Sequence, residues 1–147
     1  MGLMQREKGK RFERDIAARI RERFGCDVRR ASQAERADNP DVFVPHGVAP
    51  FKLTRLWLEC QDAKNPTPTK KLEQAERDVE AWTSKRESYV PRWPVVIWHQ
   101  LGDRTSYATM RINTLLDIVQ PVPDAESELR QVVTVELEQF FEMLEVV

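Results

Sequence analysis

The sequence has few of the residues from which many enzyme sites are built, with two cysteines, two histidines and five glycines in 147 residues. Cys26 and Cys60 have neither the spacing nor the partners of a zinc site, so we expect reduced thiols, with Cys60 buried. No G-x-x-x-x-G-K-[ST] phosphate loop and no G-x-S-x-G nucleophile elbow occurs. We interpret His99 as a structural residue of an apolar strand and His46 as a turn residue.

Long apolar runs are also missing. No stretch approaches the roughly 18 apolar residues that cross a bilayer, and the N-terminal MGLMQREKGK lacks the apolar centre of a signal peptide. We therefore expect a cytoplasmic protein that does not bind a membrane. We also expect no small-molecule cofactor. With 41% apolar and 32% charged residues, the chain of 147 residues has the size and composition of one soluble domain.

The net charge of −1 conceals an uneven distribution along the chain. Residues 1–36 carry 11 Lys/Arg against 6 Asp/Glu, and residues 117–147 carry 1 Arg against 8 Asp/Glu. A basic end and an acidic end favour one surface that faces a polyanion and another that does not. Charged helices also show such splits without any function, so the distribution alone favours nucleic acid only slightly.

Apolar periodicity predicts a first helix over about residues 5 to 24. An apolar side chain recurs every four positions from Phe12 to Phe24, and Gly25 is a typical helix end. Glu13 borders this apolar stripe, so we expect its carboxylate at the edge of the buried face.

β-Branched and aromatic runs predict four strands, CDVRR (26–30), DVFVP (41–45), LTRLWLECQ (53–61) and WPVVIWHQ (93–100). A second long helix is predicted over about residues 70–85, and the last third holds two strand-to-helix units, MRINTLLDIV (110–119) and VELEQFFEML (135–144). The order α-β-β-β-α-β-β-α-β-α predicts a single α/β domain, 1–147, with a central mixed β-sheet flanked by helices. We place its core at about 5–119, followed by an acidic strand–helix extension, 120–147, that completes either the core or an interface.

Two carboxylates lie on predicted strands that follow one another in the sequence. Asp41 opens a strand directly after a proline, and Glu59 lies near the end of the next strand, with Trp57 and Gln61 on its face. If the strands are neighbours, the two carboxylates converge and can hold Mg²⁺, which acidifies a bound water and offsets charge on a phosphate. Carboxylates at strand ends are also common without function, so spacing alone leaves both interpretations open.

The segments KGKRFERDIAARI, CDVRRAS, NPDVFV, LWLECQ and KKLEQAERDVEAW together resemble the PD-(D/E)xK nuclease superfamily, and within it the archaeal-type Holliday-junction resolvases. That family has a K-G-x-x-x-E-R helix, a strand ending in Arg-Ala/Ser, Pro-Asp, Glu-x-Lys, and a helix with a Gln-Ala-like motif. The resemblance covers roughly residues 8 to 82, and the shared order is more specific than any single motif. It implies a restriction-endonuclease-like core, Mg²⁺ with Mn²⁺ as a substitute, branched DNA as substrate, and a role in DNA recombination and repair.

The resemblance also implies roles for individual residues. Asp41 and Glu59 match the central metal ligands, and Glu13 matches a helix glutamate that helps to hold the metal. Three more residues match polar positions of the family near the site: Arg14 beside the helix glutamate, Ser32 in a loop near the cleaved strand, and Gln74 in the following helix.

The sequence departs from the family at Gln61, where Glu-x-Lys has its lysine. In the family that lysine orients the attacking water and offsets charge in the transition state. A glutamine can hydrogen-bond a water, and we include Gln61 among the catalytic candidates, but it brings no positive charge. Lys64, Lys70 and Lys71 lie downstream and are candidates to supply that charge from a shifted backbone position.

Basic residues surround these motifs and predict contacts to phosphates, which position nucleic acid without reading its sequence. The candidate DNA-binding residues are Lys8, Lys10, Arg11, Arg14, Arg29, Arg30, Ser32, Lys64, Lys70, Lys71 and Gln74. For the Lys8 group a solvated helix start is an equally good interpretation.

The leading hypothesis from the sequence is a metal-dependent endonuclease that resolves four-way DNA junctions by phosphodiester hydrolysis. Symmetric cutting of a junction needs two sites related by a two-fold axis, so we expect a homodimer. Two alternatives remain: a related nuclease that cuts flaps, ends or duplex DNA, and a non-catalytic DNA-binding relative that has lost the lysine.

Overall fold

The chain begins with a long helix, α1, that runs from Leu3 to Phe24. The predicted apolar stripe faces the interior, and Ile16 and Ile20 are fully buried. Gly25 ends the helix with a φ of 63°, which glycine adopts at little cost, and its N–H donates to the Arg21 carbonyl at 2.9 Å. The first helix therefore ends where its sequence predicts.

The computed structural model describes residues 3–30, 40–43, 51–85, 92–119 and 130–145. These residues build one sheet in which six strands lie side by side in chain order: β1 (Arg29–Arg30), β2 (Val42–Phe43), β3 (Leu56–Ala63), β4 (Trp93–Gln100), β5 (Ser106–Arg111) and β6 (Val132–Glu136). Neighbouring strands are antiparallel except β3 and β4, which are parallel. The prediction of an α/β fold with a central mixed sheet is confirmed.

The described ranges also contain four further helices: α2 (Phe51–Thr54), α3 (Pro68–Ser84), α4 (Ile112–Val119) and α5 (Leu137–Glu145). A parallel pair of strands needs a crossover connection, and α3 lies in the connection between β3 and β4. The predicted helix over residues 70–85 corresponds to α3, and the two predicted strand-to-helix units correspond to β5–α4 and β6–α5.

The strand predicted to begin at residue 53 begins three residues later, because the chain first forms the short helix α2. Leu53 and Leu56 are both buried in the same core, and a spacing of three fits a helical turn, not the alternation of a strand. At the start of the sheet, β1 comprises Arg29 and Arg30, which pair with β2. Residues 44 and 45 of the second predicted strand lie outside the described residues.

Different helices cover the two faces of the sheet. Leu58 of β3 belongs to a core that includes Ile16 of α1 and Phe140 of α5. The next residue back, Trp57, projects from the opposite face and meets Trp82 of α3. The α1 and α5 helices therefore lie on one face, and α3 lies on the other.

The acidic C-terminal region completes the sheet and its core. The β6 strand pairs with β5, and α5 buries four apolar side chains, Leu137, Phe140, Phe141 and Leu144. Arg23 of α1 donates to Glu145 at 2.7 Å and to Glu138 at 2.8 Å. The sequence left open whether this region completes the core or an interface. Residues 132–145 belong to the core. Some basic side chains of the N-terminal region are thus paired with acidic side chains of the C-terminal region.

Cys26 and Cys60 are both buried and both free, with no bond between them. Among the described residues, no helix has the length and apolar character needed to span a membrane.

Candidate active site

The register between two strands places Asp41 beside Glu59. In the antiparallel pair of β2 and β3, Val42 lies opposite Leu58. Extension of this register by one pair places Asp41, which directly precedes β2, opposite Glu59, and their carboxyl groups lie within hydrogen-bonding reach. Directly opposed residues of antiparallel strands project from the same face with Cβ atoms about 5 Å apart. The two carboxylates therefore converge because of how these strands pair.

Asp41 is held from two sides. Its Oδ2 atom accepts the backbone N–H of Cys60 at 3.0 Å, which fixes the carboxylate against β3. The Nζ atom of Lys71, on α3, lies 3.9 Å from the same oxygen. The carboxylate is only 13% exposed, so this cation is close to a largely buried negative charge.

Glu59 is held by its neighbour on the same face of β3. The indole Nε1–H of Trp57 donates to Glu59 Oε1 at 3.0 Å. Residues two apart on a strand share a face, which makes this contact possible within one element. The sequence predicted the shared face of these residues but not the hydrogen bond.

The carboxyl pair is electrostatically strained. Burial raises the pKa of Glu59 to about 9, and the negative charge of Asp41 acts in the same direction. The Lys71 ammonium and the Trp57 hydrogen bond oppose this rise. At neutral pH the pair therefore retains a proton, and a divalent cation that replaced the proton would relieve the repulsion between the two groups.

Gln61 does not project a free amide toward the carboxylates. Its Oε1 accepts the backbone N–H of Thr67 at 2.9 Å, and its Nε2 donates to Thr67 Oγ1 at 3.2 Å. Thr67 is the N-cap residue of α3, and its carbonyl accepts the N–H of Lys71 at 3.1 Å. Gln61 thus fastens the start of the helix that carries Lys71.

Glu13 lies on the other side of the sheet from this pair. It is 6% exposed, and its Oε2 accepts a hydrogen bond from Arg30 Nε at 2.6 Å. The sequence prediction of a carboxylate at the edge of the buried face is confirmed, and the hydrogen bond from Arg30 holds that carboxylate. Within the described ranges, no group of three or more His, Cys, Asp or Glu side chains is arranged to hold a metal ion. The structure therefore brings together two of the three predicted ligands.

The downstream lysines are not equivalent. Lys64 and Lys70 are exposed, whereas Lys71 is half-buried beside Asp41. The sequence offered all three as replacements for the family lysine and could not choose among them. Which of them lies beside Asp41 depends on where α3 begins, and Gln61 binds Thr67, the N-cap residue of α3.

The remaining predicted DNA contacts have other partners in the structure. Lys8 lies 3.9 Å from Asp62, and Lys10 lies 3.6 Å from Glu7. The guanidinium of Arg29 lies 4.6 Å from the centre of the Phe43 ring.

Of the four other predicted contact residues, three lie in the described helices. Arg11 and Arg14 are exposed on α1. Gln74 is exposed on α3, where it accepts from Arg77 at 2.8 Å and donates to Asp78 at 3.0 Å. Ser32 lies outside the described residues.

Compared with known proteins, the chain matches no protein-family model and no curated protein. The interpretation of the site therefore depends on its own residues.

Proposed function

We propose that the protein is a metal-dependent DNA endonuclease that hydrolyses a phosphodiester bond, with four-way junctions as its substrate. The observation that carries this proposal is the buried pair of Asp41 and Glu59, with Lys71 at its edge. Two facing carboxylates and one ammonium group supply the ligands for a hard cation and a positive charge for a phosphate.

The donor set fits Mg²⁺, which proteins commonly hold through one or two carboxylates, with waters and substrate phosphates completing the shell. Asp41 and Glu59 would be these ligands. When bound, Mg²⁺ acidifies a water and offsets charge that develops on the phosphate. Mn²⁺ has the same preference for oxygen ligands and would substitute.

The protein's own contribution is to fix these groups in position. The Cys60 N–H holds Asp41 at 3.0 Å, so the carboxylate needs little reorganisation when it binds a ligand. Lysine binds phosphate as a point charge, and Lys71 would place its ammonium beside a phosphate oxygen. Gln61 would fix the position of this ammonium, because it anchors the start of the helix that carries Lys71. In this proposal Gln61 is a structural residue, and Lys71 has taken over the charge of the family lysine.

Basic residues on the protein surface supply sequence-independent contacts to the DNA backbone. Lys8, Lys10, Arg11 and Arg14 lie on α1, and Lys64 and Lys70 lie where β3 passes into α3. A homodimer with two such sites would cut opposite strands of a junction symmetrically.

A cleavage panel tests this proposal. Four-way junction, flap, single-stranded and linear duplex DNA of matched sequence are incubated with the protein in Mg²⁺, in Mn²⁺ and in EDTA. We expect paired symmetric cuts in the junction that require the metal. Preferred cutting of a flap, an end or a duplex would identify a different nuclease of the same chemistry. Tight junction binding without cleavage in either metal would show a non-catalytic DNA-binding protein.

A further inference from the structure

Trp57 is hydrogen-bonded to Glu59, one of the proposed metal ligands, and its ring is buried. It is 4% exposed, and its indole N–H donates to Glu59 Oε1 at 3.0 Å. Trp57 and the Trp82 ring of α3 lie 6.3 Å apart between centroids, at an interplanar angle of 65°. An edge-to-face contact of this kind fixes the orientation of an indole ring as well as its position.

Trp82 is itself held in place by Arg92. The guanidinium of Arg92 lies 4.9 Å from the centre of the Trp82 ring and also donates to the carbonyl of Thr54. The indole N–H that faces Glu59 is thus positioned by a continuous series of contacts through α3 and the residues that precede β3 and β4.

We propose that Trp57 is a positioning residue for the metal, which orients the Glu59 carboxylate through its indole N–H before a cation binds. This inference rests on the proposed function, because it assigns Trp57 a role toward the ligand set of Asp41 and Glu59. Trp57 does not touch the substrate or the metal in this role, and it acts through Glu59.

The physical reason lies in the glutamate side chain. The terminal torsion of a glutamate is broad, so a free carboxylate rotates and presents its oxygens in many directions. A hydrogen bond to Oε1 restricts that rotation and orients the group toward Asp41. Hydrogen bonds that orient metal ligands typically contribute about 10- to 100-fold to metal affinity.

Metal binding by itself measures this effect without depending on catalysis. The probe is Mn²⁺ alone, and the EPR signal of the free aqueous ion gives the bound fraction during titration of the full chain. Wild type is compared with Trp57→Phe, which loses the N–H, and with Trp82→Phe, which changes the packing of the same pair but leaves the N–H of Trp57. Thermal midpoints of all variants record any loss of stability.

Because Trp57→Phe also leaves a smaller ring in a buried place, a second replacement removes the N–H alone. Benzothienylalanine has the shape of tryptophan with sulfur in place of the indole N–H, and it is introduced at position 57 by codon suppression. If Trp57→Phe does not fold, this analogue alone decides the result.

We expect about tenfold weaker Mn²⁺ binding for the position-57 replacements. Trp82→Phe loosens the support of the Trp57 ring but keeps its N–H, so we expect a smaller loss of Mn²⁺ affinity for this variant. The Mg²⁺ concentration that gives half-maximal cleavage should rise by a similar factor for each variant. Wild-type Mn²⁺ affinity with either position-57 replacement would overturn the inference and leave the proposed function intact. If the wild type binds no Mn²⁺, or if Asp41→Asn binds it equally well, the proposed function fails and the inference fails with it.

Discussion

Gln61 binds Thr67 with both ends of its side-chain amide, accepting the backbone N–H at 2.9 Å and donating to the hydroxyl at 3.2 Å. The first of these bonds satisfies one of the N–H groups that a helix start leaves without a partner. The second fixes the rotamer of the N-cap threonine. Lys71 lies one turn further along this helix, with its Nζ 3.9 Å from Asp41. Gln61 is thus connected, through the start of α3, to a lysine that lies beside Asp41.

Removal of the Gln61 amide should weaken the start of α3. Gln61→Ala loses two hydrogen bonds, and we expect the free energy of unfolding to fall by about 1–2 kcal/mol. Gln61→Glu can still accept the Thr67 N–H and should retain more of the stability. Urea denaturation of the three proteins measures the difference. Equal stability of Gln61→Ala and wild type would show that the contact with Thr67 does not hold the helix.

Lys71, and not Lys64, should be the lysine on which cleavage depends. Lys71→Ala removes the positive charge beside Asp41, and we expect cleavage to fall on the order of a hundredfold. Lys64→Ala is the matched control, because Lys64 is exposed and its substitution changes the net charge by the same amount. Single-turnover cleavage at saturating protein separates this effect from weaker DNA binding. A larger loss for Lys64→Ala would reverse the assignment.

Glu59 should destabilise the metal-free protein as the pH rises. Its pKa in the folded protein, about 9, lies above its value of 4.5 in an unfolded chain, chiefly through burial and then through the charge of Asp41. The folded state therefore binds the proton more tightly, and stability falls as the pH increases between these two values. Glu59→Gln cannot lose a proton, so its stability in EDTA should gain on wild type from pH 6 to pH 9, as chemical denaturation measures. A constant difference across this range would contradict the raised pKa.

His99 should stabilise the protein most at low pH. Its Nδ1 lies 3.0 Å from Asp62 Oδ1 and its Nε2 lies 2.6 Å from the Asp103 carbonyl oxygen. The hydrogen bond to Asp62 is the largest of the effects that raise the pKa of His99. A raised pKa means that the stabilisation is fully present below the unfolded value of about 6.5 and is lost as the pH rises through the folded value.

The difference in thermal midpoint between wild type and His99→Gln measures this dependence. It should be largest near pH 5.5 and should shrink toward pH 8.5. A difference that does not change with pH would show that His99 is not charged in this contact. In the structure His99 lies between the Asp62 carboxylate and the backbone carbonyl of Asp103.

Much of the fold could be predicted because it follows from local patterns. The stripe of α1, the stop at Gly25 and the continuous strand 93–100 depend on residues close together in the chain, and the structure has them at or near the predicted bounds. The convergence of Asp41 and Glu59 was predicted on the condition that their strands are neighbours, and the pairing of β2 with β3 meets that condition.

The parts that were not predicted depend on contacts between distant residues. The helical turn before Leu56 exists because Leu53 enters the core, which the alternation of a strand cannot indicate. The position of Lys71 beside Asp41 depends on where α3 begins, and Glu13 pairs with Arg30 because α1 packs against the face of the sheet opposite α3. Sequence periodicity places side chains on faces of elements, but it does not determine which element lies across from them.

The central claim, that Asp41 and Glu59 form a catalytic metal site, is tested most directly by cleavage of a synthetic four-way junction by Asp41→Asn in Mg²⁺. Asparagine keeps an oxygen that can accept the Cys60 N–H, so the fold should remain, as circular dichroism and the thermal midpoint would show. Asp15→Asn, at an exposed position of α1, is the matched control for loss of one carboxylate. The account predicts metal-dependent cutting by wild type and Asp15→Asn and no cutting by Asp41→Asn. Cutting by folded Asp41→Asn at the wild-type rate would contradict it.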